Sequence, residues 1–553
     1  MNPSPAIVIL GPSALAGARR IQALYPQAEI HGLQGRVADV ERTYDDFGDN
    51  LRALYRAGTP LIALCAAGIV IRSLAAVLGE KGSEPPVLAV AEDGSAVVPL
   101  LGGLGGVNRM AREIAAHLQV NAAITTSGEL RFGTCLLEPP AGYVLADIEQ
   151  GKGFVSDLLG GQAVRIEGDA PWLAQAKLPV TDDAARVIHI SPHSRAVNSD
   201  ELLIHPQQVA VWVERAGTEL LSELHQALQS SGLAQQSLAC LLAAPTLMAT
   251  AELHAAAAQL KLPLRFIDDA QQLPPLHSQH ANLRLLLAAA PIDPTQLGRP
   301  RGRLTVIGLG PGAAEFMLPA ARQALDEAQD LLGYETYINM AGPLRPEQVR
   351  HCTDNREEMQ RARHAFELAA SGRRVVVVSS GDPGVFAMAA AVLEALHEST
   401  DAEWQRVELQ VFPGVSAARA TAAKAGAPLG HDFCLISLSD NLKPWAIIEK
   451  RLEHAAAADL VMAFYNPISK ARPWQLGSAL DIIRQQRSPE TLVVLGRDIG
   501  RPGETLRTLT LGELTPDMVD MRTLVIIGSS QTCRFPRADG GEWVYTPRSY
   551  PQP

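Results

Sequence analysis

Apolar residues come along this chain mostly in short unbroken runs, each stopped by glycine or proline and followed by an Ala/Leu-rich stretch. "AIVIL", "LTVIGLG" and "RRVVVVSS" are of this kind. Continuous runs without polar alternation mark strands buried on both faces, as in parallel sheets covered by helices. The rhythm of strand, glycine turn and helix therefore predicts open α/β sheets built from βαβ units.

In the first half, "AIVIL" is followed by a predicted helix over 15–24, and "TPLIALCAAGIVIRSLAAVL" reads as strand, glycine turn and helix. "PPVLAVAEDGSAVVPLL" places two apolar runs around Asp93-Gly94, a hairpin signal. "GGLGGVNRMAREIAAHL" then opens a helix after four glycines, and such a helix start suits an anion or polar ligand. Residues 136–200, broken by Pro139-Pro140, Gly160-Gly161 and Pro192, read as a connecting subdomain. The strand and helix pattern returns over 207–268, and "APIDPTQLGRPRGR" reads as a linker. The expected division is 1–135, 136–200, 201–290, a linker over 291–302, and a domain over 303–540.

Length and composition narrow the class. A chain of 553 residues exceeds a single core, and 47% hydrophobic with 19% charged residues is ordinary for globular α/β proteins. The formal net charge of -11 argues against a general nucleic-acid binder. Six cysteines without a CxxC pair indicate neither a zinc site nor a disulfide framework, and no metal is expected. With no basic segment before the first apolar run, and no apolar stretch of the roughly 20 residues that span a bilayer, the expected setting is cytoplasmic, away from membranes.

Candidate chemistry lies at the turns. Gly308, Gly310 and Ala313 have G-x-G-x-x-G/A spacing after a strand, with Asp330 about 20 residues on, as in a dinucleotide site. Read alone, this suggests an NAD-dependent oxidoreductase, although Pro311 removes one N–H from the turn. Three further predicted strand ends carry similar punctuation: Gly381-Asp382-Pro383-Gly384, Pro413-Gly414-Val415-Ser416 and Tyr465-Asn466-Pro467. Ligands of open α/β sheets bind beyond the carboxyl ends of strands, so these turns point to one shared cleft.

The order of "VIGLGPG", "SSGDPGVFAMA", "FPGVSAARATAAKAGAPLGHDFCLISLSD", "PWAIIEKRL" and "FYNPISKARPWQL" resembles the tetrapyrrole methyltransferases of cobalamin biosynthesis, over residues 303 to about 535. "GAPLGHDFCLISLSD" and "YNPISKAR" are most similar to the precorrin-3B C(17)-methyltransferases. The resemblance implies a two-lobed α/β fold and S-adenosylmethionine as methyl donor. It also implies methylation of ring carbon C(17) with contraction of the macrocycle to precorrin-4. It would seat the donor on Gly310, Pro311, Gly381, Asp382, Pro383, Gly384, Val385, Phe386, Ser416, Ala417, Tyr465, Asn466 and Pro467. Contraction needs an acid or base, for which His431, Asp432 and Asp440 are candidates. Lys470, Arg472, Arg497, Arg501 and Arg507 are candidates for the carboxylates of the tetrapyrrole substrate. A homodimer through the methyltransferase domain is expected, and a non-catalytic tetrapyrrole carrier is the alternative outside enzymes.

Residues 61–127 resemble the N-terminal domain of the cobalt-precorrin-5A hydrolase family, at Gly68, Arg72, Lys81, Gly94, Gly105, Gly106, Asn108, Thr125 and Thr126. The first half is thus expected to contain α/β hydrolase-like domains, with Arg72, Lys81, Asn108, Thr125 and Thr126 as site candidates. Gly103 stands where that family's glycine loop has histidine, and Met248 where a lysine is expected. The expectation is a cobalt-precorrin-5A hydrolase or a degenerate corrinoid-binding relative.

Overall fold

The computed structural model describes residues 4–79, 84–268, 273–353, 357–469 and 472–550. The chain forms two compact units, residues 1–301 with 345–347, and residues 302–344 with 348–553.

Among the described residues the first unit forms three sheets. In the first, Arg42–Tyr44, Glu29–Leu33, Ala6–Ile9, Leu61–Leu64 and Val87–Val90 lie parallel in that order, and Val97–Leu101 closes the edge antiparallel. The Asp93-Gly94 turn makes that last hairpin, with Gly94 at φ +76°. Residues 136–200 are more regular than their proline and glycine content suggests. Tyr143–Leu145, Glu201–Pro206, Arg186–Ile190 and Val164–Glu167 form a four-stranded sheet, with the helix Ile148–Leu159 packed on it. Glu201–Pro206 pairs with Arg186–Ile190 and so belongs to this sheet. The third sheet runs Leu264–Phe266, Leu238–Ala243, Val209–Val213, Leu283–Leu287 and Leu276–Gln279.

The second unit has two lobes. The first lobe's sheet is wholly parallel, ordered Val349–Thr353, Asp330–Tyr334, Arg374–Ser379, Arg303–Gly308 and Glu408–Phe412. Its "VVVV" run is unbroken because both faces are covered. Val375 and Val377 join a core with Phe366 and Val392, whereas Val376 and Val378 face Leu325 and Ile338. Each fully buried valine contributes about 2 kcal/mol, so a polar residue at any of the four would be costly.

The second lobe's sheet is ordered Phe433–Ser437, Val461–Tyr465, Thr523–Ile527, Leu492–Arg497 and Thr505–Thr510, and only the first pair is parallel. Helices Trp445–Ala457 and Gln475–Arg484 cover one face. The helix Ala417–Ala425 covers the other, and Thr421 fills the space that a side chain at Gly496 would take. A terminal hairpin, Cys533–Pro536 with Glu542–Tyr545, pairs back to Gly426–Ala427. Among the described residues no helix is long and apolar enough to cross a membrane.

The dinucleotide reading fails on Asp330. A ribose-binding acid must stand at the carboxyl end of its strand, near the glycine turn. Asp330 is the first residue of Asp330–Tyr334, is 1% exposed, and is paired with Arg373 and with His351 Nε2 at 2.9 Å. Its carboxylate is committed at the wrong end of the sheet, which removes the main support for NAD.

Candidate functional site

Three of the glycine turns leave adjacent strands of the first lobe, Arg374–Ser379, Arg303–Gly308 and Glu408–Phe412, at their carboxyl ends. Leu309 N–H donates to the Ser379 carbonyl at 2.9 Å, and Gly310 and Gly381 exchange backbone hydrogen bonds of 3.2 and 2.8 Å. The turns then cross in contact. A side-chain carbon on Gly308 would lie 2.3 Å from the Gly381 oxygen and 3.1 Å from Gly414 Cα, and one on Gly414 would lie 2.1 Å from that same oxygen. Only glycine permits this approach at Gly308 and Gly414. Gly381 itself sits at φ +68°, a left-handed conformation that side chains disfavour.

Asp382 ties the crossing together. Its Oδ1 accepts from Gly384 N–H at 2.8 Å, and its Oδ2 accepts from Gly414 N–H at 3.1 Å on the neighbouring turn. Pro383 and Val385 complete the turn, where the Pro383 carbonyl accepts from Ala389 and Val385 N–H donates to the Asp382 carbonyl. Phe386 leaves it at φ +53° and half-exposed. For a bulky side chain that conformation costs about 1–3 kcal/mol, a strain that is concentrated at functional sites.

The second lobe meets these turns at three places. The Phe386 ring lies 5.3 Å from that of Tyr465, and the Tyr465 hydroxyl accepts from Ala418 N–H at 3.0 Å. Ser416, 4% exposed, caps the helix beginning at Ala417. Arg501 Nε donates to the Pro311 carbonyl at 2.8 Å, and its Nη2 to Ser380 Oγ at 3.2 Å. Asn466, at φ +50°, donates from Nδ2 to Ser437 Oγ at 3.1 Å, and Pro467 follows it. The structure thus gathers Gly310, Pro311, the Gly381–Phe386 turn, Ser416, Ala417, Tyr465, Asn466 and Pro467 around one junction of the two lobes.

The acid and base candidates separate. His431 and Asp432 stand at the amino end of Phe433–Ser437, where His431 Nδ1 accepts from Asp432 N–H and its ring faces Tyr550 at 5.3 Å. Asp440 follows the other end of that strand, roughly 17 Å away for five extended residues. His431 and Asp432 therefore stand at the opposite end of that strand from Asp440, a separation that a single sequence segment does not reveal. Asp440 stands beside Lys443, whose ammonium donates to the Ser439 carbonyl at 3.1 Å. Burial and the nearby Arg451 hold Lys443 below its ordinary pKa, while Asp440 opposes the shift.

The cation candidates also divide. Arg472 bonds Ser439 Oγ and, at 3.3 Å, Ser469 Oγ. Arg497 is taken up by Asp498 at 3.1 Å and Asp520 at 2.9 Å, and Arg501 by the turns it clamps. Arg507 lies on Thr505–Thr510 opposite Leu495, and Lys470 falls outside the described residues. Sequence reasoning missed Lys443, Trp445, Trp474 and Gln475. The crowded "SLSDNLKPW" segment, with cation, hydroxyls and aromatic together, was the signal for Lys443 and Trp445.

In the first unit, buried Asn108 donates to Thr126 Oγ1 at 2.8 Å and to Glu129 Oε1 at 2.6 Å, and Arg112 pairs with Glu129. Burial raises the pKa of neighbouring Glu138, against the pull of Arg109. Arg72 and Thr125 are exposed, and Lys81 lies outside the described residues. Gly103 has open space where a side chain would begin, whereas Met248 is buried in the core of the third sheet.

Residues 303–515 match the family model for Tetrapyrrole (Corrin/Porphyrin) Methylases, and residues 49–129 match that for Cobalamin synthesis G N-terminal. A precorrin-3B C(17)-methyltransferase of Sinorhizobium sp is 52% identical over 249 residues, which are 45% of this chain and 97% of that protein. The chain belongs to the precorrin-3B C(17)-methyltransferase family. The cobalamin biosynthesis protein CobIJ of Mycobacterium bovis is 46% identical over 285 residues, 48% of this chain and 55% of that protein. The chain thus spans about half the length of this second relative. The crystal structure of the methyltransferase CobJ shares 51% identity, covering 44% of this chain and 100% of that chain, with a TM-score of 0.42.

Family membership falls on the unit that carries the crossed glycine turns, and their contact sets a test of stability. Gly414→Ala is expected to lower the stability of the second unit by about 3 kcal/mol, the scale of a core overpacking defect. Gly384→Ala, whose nearest atom would be Asp382 Oδ1 at 3.2 Å, is expected to change it by less than about 1 kcal/mol. Denaturant titration of the full chain checks both, and equal effects would contradict the crossing.

Proposed function

We propose that residues 303–540 transfer a methyl group from S-adenosylmethionine to C(17) of precorrin-3B, with ring contraction to precorrin-4. The observation that carries this is the crossing of Gly308, Gly381 and Gly414, which fixes the turns at three adjacent strand ends backbone against backbone. Turns fixed in this way suit a ligand held by their remaining backbone N–H and carbonyl groups, the demand made by a folded nucleoside with an amino-acid tail. Gly310, Pro311, the Gly381–Phe386 turn, Ser416, Ala417, Tyr465, Asn466 and Pro467 would hold it.

When bound, the donor supplies an electrophilic methyl on sulfonium. The chain's own part is positioning, since transfer to carbon needs nucleophile, methyl and sulfur in line and no strong base. Phe386 and Tyr465 wall the junction and exclude water. Contraction moves a proton from a ring hydroxyl, and Asp440 and Lys443, on the loop after Phe433–Ser437, are the proposed groups for it. His431 and Asp432 are not. A tetrapyrrole bearing many carboxylates approaches a chain of net charge -11, so cations at the second lobe's strand ends, Arg472 and Lys443 first, receive it.

The first unit is proposed as a hydrolase-like partner that handles a corrinoid of the same pathway, with weakened lactone hydrolysis. Its glycine loop lacks a titratable group at Gly103, and Asn108, Thr126 and Glu129 satisfy one another.

Calorimetry with S-adenosylhomocysteine and with NAD separates the methyltransferase from the oxidoreductase. The expected result is binding of the former alone, weakened about tenfold in Asp382→Ala, which loses two hydrogen bonds, and further in Gly384→Val. Tighter binding of NAD, or unchanged affinity in both folded variants, would overturn the proposal. For the first unit, the full chain is expected to release acetaldehyde from cobalt-precorrin-5A slowly, and Gly103→His, which the open space admits, at least about tenfold faster. Rapid release by the unaltered chain would show that the loop functions without histidine.

A further inference from the structure

The loops leaving the neighbouring parallel strands Phe433–Ser437 and Val461–Tyr465 are joined by a set of contacts on one side of the second lobe. Leu438 N–H donates to the Tyr465 carbonyl at 3.0 Å. Arg472 reaches Ser439 Oγ from one loop, and Lys443 reaches the Ser439 carbonyl from the other. The Trp445 and Trp474 rings meet edge to face at 4.8 Å. Two cations are thus drawn to one serine, with two indoles beside them.

Directly after Trp474 begins the ten-residue helix Gln475–Arg484. Its first-turn N–H groups, like those of any helix, find no acceptor within the helix, and Trp474 supplies no side-chain cap. Gln475, the first helical residue, is 1% exposed, and among the described residues neither its Oε1 nor its Nε2 has a hydrogen-bond partner. Side chains on a helix lean toward its amino end, which places this carboxamide by the uncapped start, three residues after Arg472 in the chain. A buried carboxamide with both ends unsatisfied is costly in an otherwise well-packed lobe, and buried polar groups of native proteins are nearly always paired. A ligand group is one way to meet the amide N–H, and the chemistry such a group would need follows from what surrounds it. Helix N–H donors, the Gln475 amide N–H, a guanidinium and an ammonium all favour an oxyanion.

We propose that the helix start at Gln475, with Arg472 and Lys443, reads one peripheral carboxylate of the tetrapyrrole and so fixes how the macrocycle is turned over the methyl donor. The inference rests on the proposed substrate and adds the residues that orient it. The methyl donor also carries a carboxylate, but its proposed seat is on the glycine turns and at Tyr465-Asn466-Pro467.

The full chain, titrated with precorrin-3B in the presence of S-adenosylhomocysteine, tests this with Gln475→Met, which keeps volume and removes both polar ends. Gln475→Glu, which sets a like charge against the carboxylate, and Lys443→Met accompany it. The expected result is about tenfold weaker precorrin-3B binding in Gln475→Met and Lys443→Met, and a larger loss in Gln475→Glu, with S-adenosylhomocysteine affinity unchanged. Precorrin-3B binding within twofold of the unaltered chain in both Gln475 variants overturns the inference, whatever happens to their thermal midpoints. So does a loss that falls on S-adenosylhomocysteine instead, which would assign the site to the donor. An unaltered chain that binds S-adenosylhomocysteine but not precorrin-3B would remove the substrate reading and the inference together, an outcome distinct from either of these.

Discussion

Gly308, Gly381 and Gly414 press their backbones together at the carboxyl ends of three adjacent parallel strands, closer than any side-chain carbon would permit. The first lobe's sheet brings the three there, because Arg303–Gly308 lies between the other two strands. Once crossed, the turns have little freedom to separate. Asp382 bonds both its own turn and the neighbouring one, and Arg501 reaches from the second lobe to Pro311 and Ser380. A defect at the crossing therefore reaches the sheet, the turns and the lobe junction together.

The same contact explains why the seat proposed for the methyl donor is largely backbone. With side chains excluded at the crossing, the turns meet backbone to backbone, and the N–H groups of Leu309, Gly310, Gly381 and Gly414 are paired within them. A backbone fixed in this way would hold the proposed ligand without the entropy cost of ordering flexible side chains. Charge enters from the other lobe, where Arg472 and Lys443 converge on Ser439 while Arg497 is neutralised by Asp498 and Asp520. A net negative chain can in this way present cations at one end of one sheet.

Much of this was legible in the sequence wherever the cause is local. The "VVVV" run announces a strand covered on both faces, and the order of four punctuated strand ends marked the turns that the fold assembles. What depends on long-range pairing was not legible. Residues 136–200 looked irregular because their strands are short and pair with Glu201–Pro206, beyond the segment. Asp330 has dinucleotide spacing, yet lies at the amino end of its strand in an ion pair with Arg373. His431 and Asp432 are close in sequence to Asp440, but a strand stands between them, so the two groups are at opposite ends of the sheet. Gln475 looked like any polar helix residue, and its want of a partner is visible only once the lobe has packed around it.

The central claim is that this junction carries a methyl group to a tetrapyrrole carbon. The most direct measurement is the mass and isotope position of the product formed by the full chain from precorrin-3B and a methyl donor labelled with deuterium on its methyl group. A single labelled methyl at C(17) of a contracted ring is the predicted result. Unchanged precorrin-3B, or a product whose label lies at another carbon, would contradict the account.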